Sequence, residues 1–225
     1  MTGQQVIIII GPPGSGKGTQ ADLISENFGF YHFETSKMIE EKIRNGDQDD
    51  LIIAREKHLW ESGGLNTPDL VTKWFLDKIM ELSKNGYSLV MSGSPRTIFE
   101  GEAEIPLFEN LYGKNNIKII HINLSKEESI KRNSSRRICK ANRHPIPNLP
   151  EYFDLQACPK DGSELETRKL DNPETIALRY QVYLERTQPL LSLFHEKGYK
   201  VIEIEGEQSI DMVYSDIIDA LGFND

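Results

Sequence analysis

The chain has 225 residues, of which 26 are Lys or Arg and 35 are Asp or Glu, for a net charge of −9. That length supports one substantial core with small insertions, and the acid excess excludes nucleic acid or an anionic membrane as the main partner, because either would be repelled. No apolar run approaches the length of a bilayer span, no basic-then-apolar leader opens the chain, and the two cysteines, Cys139 and Cys158, make no disulfide framework, so a cytoplasmic location is expected.

Val6–Ile10 is an unbroken β-branched run and reads as a buried parallel strand. Gly11-Pro12-Pro13-Gly14-Ser15-Gly16-Lys17-Gly18-Thr19 follows it and leads into helix-like sequence. Glycines in such a turn let successive backbone N–H groups converge on one point, the helix N-terminus adds positive potential, and a lysine supplies a mobile charge. Gly11 to Lys17 has the P-loop spacing, with Lys17 as its lysine, so nucleoside triphosphate binding is expected. Gly18 stands where Ser or Thr is usual, and the hydroxyl comes one residue later at Thr19.

The first helix is predicted from Gly18 to about Asn27, closed by Gly29. Phe30–Phe33 is a short strand, in which His32 reads as a packed core residue rather than a catalytic one. Helical patterns follow at Lys37–Asn45, at Asp50–Ser62, and from Thr67-Pro68 to Gly86. In the last of these Leu70, Val71, Trp74, Phe75, Ile79 and Leu82 recur at helical spacing. Trp60 and Trp74 read as core anchors. Tyr87–Met91 is a second buried strand, followed by Ser92-Gly93-Ser94-Pro95-Arg96-Thr97, and Ile117–Leu124 a third. Ser125 and Glu128 then form a capping box for the next helix. Residues 139–174 hold five prolines, both cysteines and little periodicity, and read as an inserted flap. A long helix is predicted from Asn172 to Lys197, bent at Pro189, then a strand at Lys200–Glu205 and a helix at Ser209–Leu221. Strands alternating with helices imply a parallel sheet with ligands at the carboxyl ends of its strands.

In its particulars the opening turn resembles the Gly-x-Pro-Gly-x-Gly-Lys-Gly-Thr form of the adenylate kinase family. The likeness continues along nearly the whole chain: Thr35, then Gly64-Leu65-Asn66-Thr67-Pro68, then Gly93 with Pro95-Arg96-Thr97, then Arg132, Arg136 and Arg137, and finally Arg168 and Arg179. It implies an α/β fold, a P-loop NTPase-type parallel sheet of about five strands flanked by helices. The core would comprise residues 1–33, 67–137 and 175–225, with a monophosphate-binding insertion at 34–66 and a lid at 138–174. The implied activity is transfer of the γ-phosphate of ATP to AMP, giving two ADP, with Mg²⁺, by a monomer. The implied catalytic groups are Lys17, Arg96, Arg132, Arg168 and Arg179. ATP would be bound by Gly14, Ser15, Gly16, Lys17, Gly18, Thr19, Arg132 and Arg136. The monophosphate would fall to Thr35, Lys37, Glu40, Gly64, Asn66, Gly93, Arg96, Glu100, Arg168 and Arg179. Elementary chemistry points the same way, since transfer between two polyanions needs charge neutralisation and positioning, and guanidinium holds phosphate oxygens bidentately. Any one of these arginines taken alone is equally well a surface charge.

Four departures from the family pattern fall in the expected site. Ser92 replaces the Asp that orients Mg²⁺ through its water shell, so weaker Mg²⁺ holding is expected. Leu170 replaces an Asp, with Asp171 beside it. Glu40 replaces a phosphate-binding Arg and Lys37 an Asp, so that Lys37 either reaches the acceptor phosphate while pairing with Glu40 or forms a solvated pair with it. Glu100 replaces the adenine-reading Gln, and a carboxylate, which only accepts, suits guanine better than adenine. Alternatives are therefore GMP or a pyrimidine monophosphate as acceptor, or a nucleotide-binding sensor that has lost transfer. In the flap, Cys139, His144, Cys158 and Asp161 either close a structural zinc site like the lid zinc of some bacterial members, or are two inert thiols beside polar neighbours.

Overall fold

A computed structural model describes residues 3–47, 49–61, 66–134, 136–142, 144–146, 152–167 and 171–223. The expected site residues Gly64 and Arg168 lie outside the described residues, as do Leu170 and the end of the third helix at Ser62 to Gly64.

The main sheet has five strands in the order β2-β3-β1-β4-β8, formed by Val6–Ile10 (β1), Tyr31–Phe33 (β2), Leu89–Met91 (β3), Ile117–Asn123 (β4) and Val201–Glu205 (β8). β1 and β2 both run parallel to β3, with Val6 and Tyr31 opposite Leu89 and Ile8 and Phe33 opposite Met91. Every residue of β1 is buried, which is why its sequence is a continuous apolar run instead of an alternation. The chain divides into two compact units, residues 1–9 with 21–119, and residues 10–20 with 120–225.

In the first unit the helices are most of α1 (Lys17–Phe28), α2 (Thr35–Asn45), α3 (Leu51–Glu61), α4 (Pro68–Lys84) and α5 (Ile98–Tyr112). Trp74, Phe75, Ile79 and Leu82 form the buried face of α4, as their spacing predicts. Phe75 meets Phe33 of β2 and Phe108 of α5 edge to face, at centroid distances of 5.3 and 6.2 Å. The helix α5 was not expected. Its buried stripe includes Gly101 and Glu104 beside Ile105, Phe108 and Tyr112, and Pro106 lies within it, so its apolar period is broken. The capping box Thr97-x-x-Glu100 was the signal that marked its start: Thr97 Oγ1 accepts from Glu100 N and Glu100 Oε2 accepts from Thr97 N, both at 3.2 Å.

In the second unit, α6 (Lys126–Ser134) precedes a small antiparallel sheet of order β6-β5-β7, made of Arg137–Cys139 (β5), Pro145–Ile146 (β6) and Leu165–Thr167 (β7). The capping box expected at α6 is only half present. Ser125 Oγ accepts from Glu128 N at 3.3 Å, but the Ser125 N–H is taken by Glu207 Oε1 at 3.0 Å, because the Glu128 carboxylate is engaged by Lys131 and Arg132. The long helix resolves into α7 (Pro173–Val182), a π turn over Tyr183–Thr187, and α8 (Pro189–Glu196). Pro189 has no N–H and its ring disfavours the carbonyl four residues back; the chain answers by letting Gln188 N donate five back, to Tyr183 O, at 2.9 Å. A last helix, α9 (Ile210–Leu221), is capped by Ser209.

Candidate functional site

The glycine turn sits between β1 and α1. Gly14 and Gly16 have φ of +79° and +88°, which only glycine adopts without strain, and a Cβ on Gly14 would lie 2.3 Å from Asn133 Nδ2. Lys17 Nζ donates to the carbonyls of Gly11 and Pro12, both at 2.7 Å, so the ammonium folds over the turn it belongs to. Ser15 is buried, and Ser129 Oγ of α6 donates to Pro13 O at 2.6 Å, tying the turn to that helix. Asn133 is held in turn by its own Nδ2, which donates to Ser129 O at 2.7 Å.

Three of the expected arginines belong to the same unit. Arg132 Nε donates to Glu128 Oε1 at 2.9 Å, one helical turn back. Arg136 reaches Asp171 Oδ2 through Nη2 at 2.8 Å and Nε at 3.2 Å, while Arg179 Nη1 reaches Oδ1 of the same carboxylate at 3.3 Å. The Asp171 side chain is only 2 % exposed, so one buried carboxylate aligns two guanidinium groups. Arg137, by contrast, is turned to the backbone, with Nη1 donating to Leu155 O at 2.7 Å and Nη2 to Tyr152 O.

The first unit carries the remaining expected residues. Thr35 opens α2, and its Oγ1 is buried with no hydrogen-bond partner among the described residues. A buried orphan hydroxyl is costly unless something else binds to it, which is what a ligand contact supplies. Lys37 pairs with Glu34, at 2.5 Å, and not with Glu40, which is exposed. The expected Lys37–Glu40 pair is therefore corrected: Glu34, just before the helix, offers the nearer carboxylate. Arg96 Nε donates to Gly93 O at 2.7 Å, bracing its own loop. Glu100 Oε2 accepts from Arg96 N at 2.5 Å as well as from Thr97 N, so its carboxylate caps α5. A negative charge at a helix N-terminus explains Glu at this position with no reference to a base. Asn66 Nδ2 donates inward, to Glu56 O and Glu56 Oε2, both at 2.9 Å.

Three side chains have polar surroundings that the sequence did not reveal. His32 is buried at 8 % side-chain exposure, yet it is not a purely apolar packing residue: Nδ1 lies 2.8 Å from Asp22 Oδ1 and Nε2 lies 2.6 Å from Ser92 Oγ. The Asp22 carboxylate only accepts, so Nδ1 donates to it, and in the neutral ring Nε2 is then the acceptor for the Ser92 hydroxyl. Glu56 of α3 is fully buried and Glu104 of α5 nearly so, and neither stood out, because isolated glutamates in helices usually face water.

The small sheet brings Cys139, His144, Cys158 and Asp161 together, with one ligand atom from each and all of these atoms within 4.8 Å of one another. His144 Nδ1 is 3.4 Å from Cys158 Sγ and 3.3 Å from Asp161 Oδ2, and Cys139 Sγ is 3.0 Å from Asp161 Oδ2. Tetrahedral zinc with ordinary N, O and S bond lengths separates its ligands by roughly 3.3–3.8 Å, a range that the two His144 edges meet and that the sulfur-to-oxygen edge falls short of. The Cys139 thiol, the Asn142 amide and Ser163 together hold the Asp161 carboxyl far below the usual carboxylate range, so it is an anionic donor. Asn142 Nδ2 donates to Asp161 Oδ2 at 2.7 Å and orients that carboxylate.

Comparison with known proteins places these features in one lineage. The model of a family described as adenylate kinase matches residues 9–199. Among curated relatives, the adenylate kinase of Lysinibacillus sphaericus is 37 % identical over 218 residues, covering 96 % of each chain. That of a Geobacillus species is 36 % identical over 222 residues, covering 96 % of this chain and 98 % of the relative. The adenylate kinase of Bacillus subtilis is 33 % identical over 219 residues, covering 96 % and 97 %. With its glycine turn at the head of α1, its five-stranded sheet and this extent of similarity, the chain belongs to the adenylate kinase family.

Proposed function

We propose that the chain is an ATP:AMP phosphotransferase, making two ADP from ATP and AMP. The carrying observation is the Gly11–Thr19 turn at the N-terminus of α1, with Lys17 folded over it and Ser129 bracing it. In transfer, an oxygen of the AMP phosphate attacks the γ-phosphorus of ATP, the bond from that phosphorus to the β,γ-bridging oxygen breaks, and ADP leaves. The turn's N–H groups and Lys17 neutralise the donor's phosphates, while Arg132, Arg136 and Arg179 supply the mobile positive charge that the acidic chain as a whole lacks. Arg136 and Arg179 are already oriented by Asp171. Thr35, Gly93 and Arg96 take the acceptor, with residues 34–66 as the monophosphate-binding part and 138–174 as the lid that keeps out water. Arg168 and Gly64 are assigned to these tasks by family resemblance alone.

Mg²⁺ accompanies ATP, and the Ser92 oxygen, kept as an acceptor by His32, suits a metal-bound water; the ion supplies charge neutralisation. Cys139, His144, Cys158 and Asp161 are the residues that would hold a structural zinc, which would cross-link the small sheet. The enzyme acts in the cytoplasm as a monomer; among the described residues no helix is long and apolar enough to cross a membrane. Glu100 is accounted for as a helix cap, so nothing among the described residues favours guanine. ADP formation measured with AMP, GMP, CMP and UMP in turn tests the assignment. AMP is expected to be preferred, and Arg96→Ala to lower kcat/KM for AMP by at least about a hundredfold, as for loss of a charge-assisted phosphate contact. ATP binding without turnover of any monophosphate would overturn it in favour of a sensor.

A further inference from the structure

Glu56 does not belong to any motif, yet the 66–67 segment is built around it. Its side chain is 0 % exposed, and both carboxylate oxygens are saturated. Oε1 accepts from Thr67 Oγ1 at 2.6 Å and from Arg55 Nη2 and Nε at 2.9 and 3.2 Å; Oε2 accepts from Asn66 Nδ2 and Thr67 N, each at 2.9 Å. Asn66 Nδ2 also donates to the Glu56 carbonyl, and Arg55 Nη2 closes the ring by donating to Thr67 Oγ1 at 2.9 Å.

The arrangement sets geometry at the expense of simpler sources of stability. Thr67 is the N-cap of α4, but its side chain makes no cap bond, because the hydroxyl is turned to Glu56. A carboxylate has been taken out of water where an apolar side chain would fill the space at less cost. Asn66, whose type and place suit a ligand contact, has its amide nitrogen directed into the protein. The side chains of two consecutive residues and the backbone N–H of the second are thus clamped to α3 at the point where the chain turns into α4.

We infer that Glu56 is a positioning residue for the monophosphate acceptor, holding the 66–67 backbone where the acceptor meets it, and that Asn66 acts as part of this brace and not as a direct ligand. The inference rests on the phosphotransferase assignment and specifies how its acceptor side is held. Glu56→Gln keeps the shape but places an amide nitrogen against donors, on Arg55 and Thr67 or on Asn66 and Thr67, so the clamp opens whichever way the amide turns.

The test is steady-state kinetics of the full chain with ATP and AMP varied separately, beside melting temperatures. Glu56→Gln is expected to raise KM for AMP about tenfold while leaving KM for ATP and kcat within about twofold. Thr67→Val, which removes the hydroxyl alone, should raise KM for AMP about threefold, and it decides the matter should Glu56→Gln fail to fold. KM for AMP unchanged in folded variants, or equal rises in both KM values, would overturn the inference. Absence of ADP formation by the wild type would instead overturn the phosphotransferase assignment itself.

Discussion

Glu56 and Glu104 are the same side chain under opposite conditions. Burial alone pushes the Glu56 carboxyl up, but Thr67, Asn66 and Arg55 donate to it so fully that it falls to about 2. Glu104 has the Ser94 hydroxyl on Oε1 and no partner among the described residues on Oε2, so burial dominates and pushes it up to about 8. The two therefore act in different pH windows. For Glu104 the folded state binds the proton more tightly than the unfolded chain, so its effect on stability becomes less favourable as pH rises from about 4.5 to about 8, with a limiting slope of about 1.4 kcal/mol per pH unit. Glu104→Gln should remove that slope, giving a variant whose stability relative to wild type improves from pH 5 to pH 8 in denaturant titrations; parallel curves would show Glu104 ionised throughout. For Glu56 the stabilisation is complete above about 4.5 and lost as pH falls toward about 2. Neither behaviour was legible in the sequence. What separates the two is the number of donors reaching each carboxylate, and apart from the adjacent Arg55 those donors come from residues ten or eleven positions away whose approach depends on the fold.

At the scale of elements, what could be read was whatever local chemistry decides. The β-branched run of β1, the glycines after it and the apolar stripe of α4 each specify their own geometry, and each formed where expected. α5 escaped because tertiary packing buries Gly101 and Glu104 on its core face, a pattern that hydrophobic period does not detect. The bend foreseen at Pro189 appears as a π turn, since a missing donor says that a ladder must break but not how the neighbouring carbonyls are satisfied. In the small sheet, resemblance to the zinc-bearing lids of some family members suggested the metal although half of the usual cysteine doublets is missing, and the fold does bring Asp161 and His144 to the two thiols. Protein purified without chelator is expected to contain about one zinc per chain by elemental analysis, and Cys158→Ser to abolish it. Stripping the metal should lower Tm by about 5 °C or more, taking free metal at a hundred times its Kd. Protein free of zinc, with an unchanged Tm in chelator, would leave hydrogen bonds alone to hold that sheet.

For the molecule as a whole, the telling quantity is the contrast between a net charge of −9 and the cations collected on a few elements. On the proposed function, a dinucleotide carrying both adenosines and the intervening phosphate chain is a ligand of the folded chain. At a thousand times its Kd it adds about 4 kcal/mol to the stability of the folded state, which for a chain of this size raises Tm by about 8–16 °C. ATP alone at the same concentration should give a smaller rise. Equal shifts for the two ligands would mean that the acceptor groups do not share a ligand with the glycine turn.

The hydroxyl of Ser129 on the carbonyl of Pro13, with Asn133 lying under Gly14, makes a loop near the beginning of the chain and a helix more than a hundred residues later one mechanical piece. A bulkier residue at 129 or 133 would press directly on the loop. Inherited variation at those two helix positions is therefore expected to surface as altered nucleotide affinity, even though neither side chain has any chemistry to perform on the nucleotide.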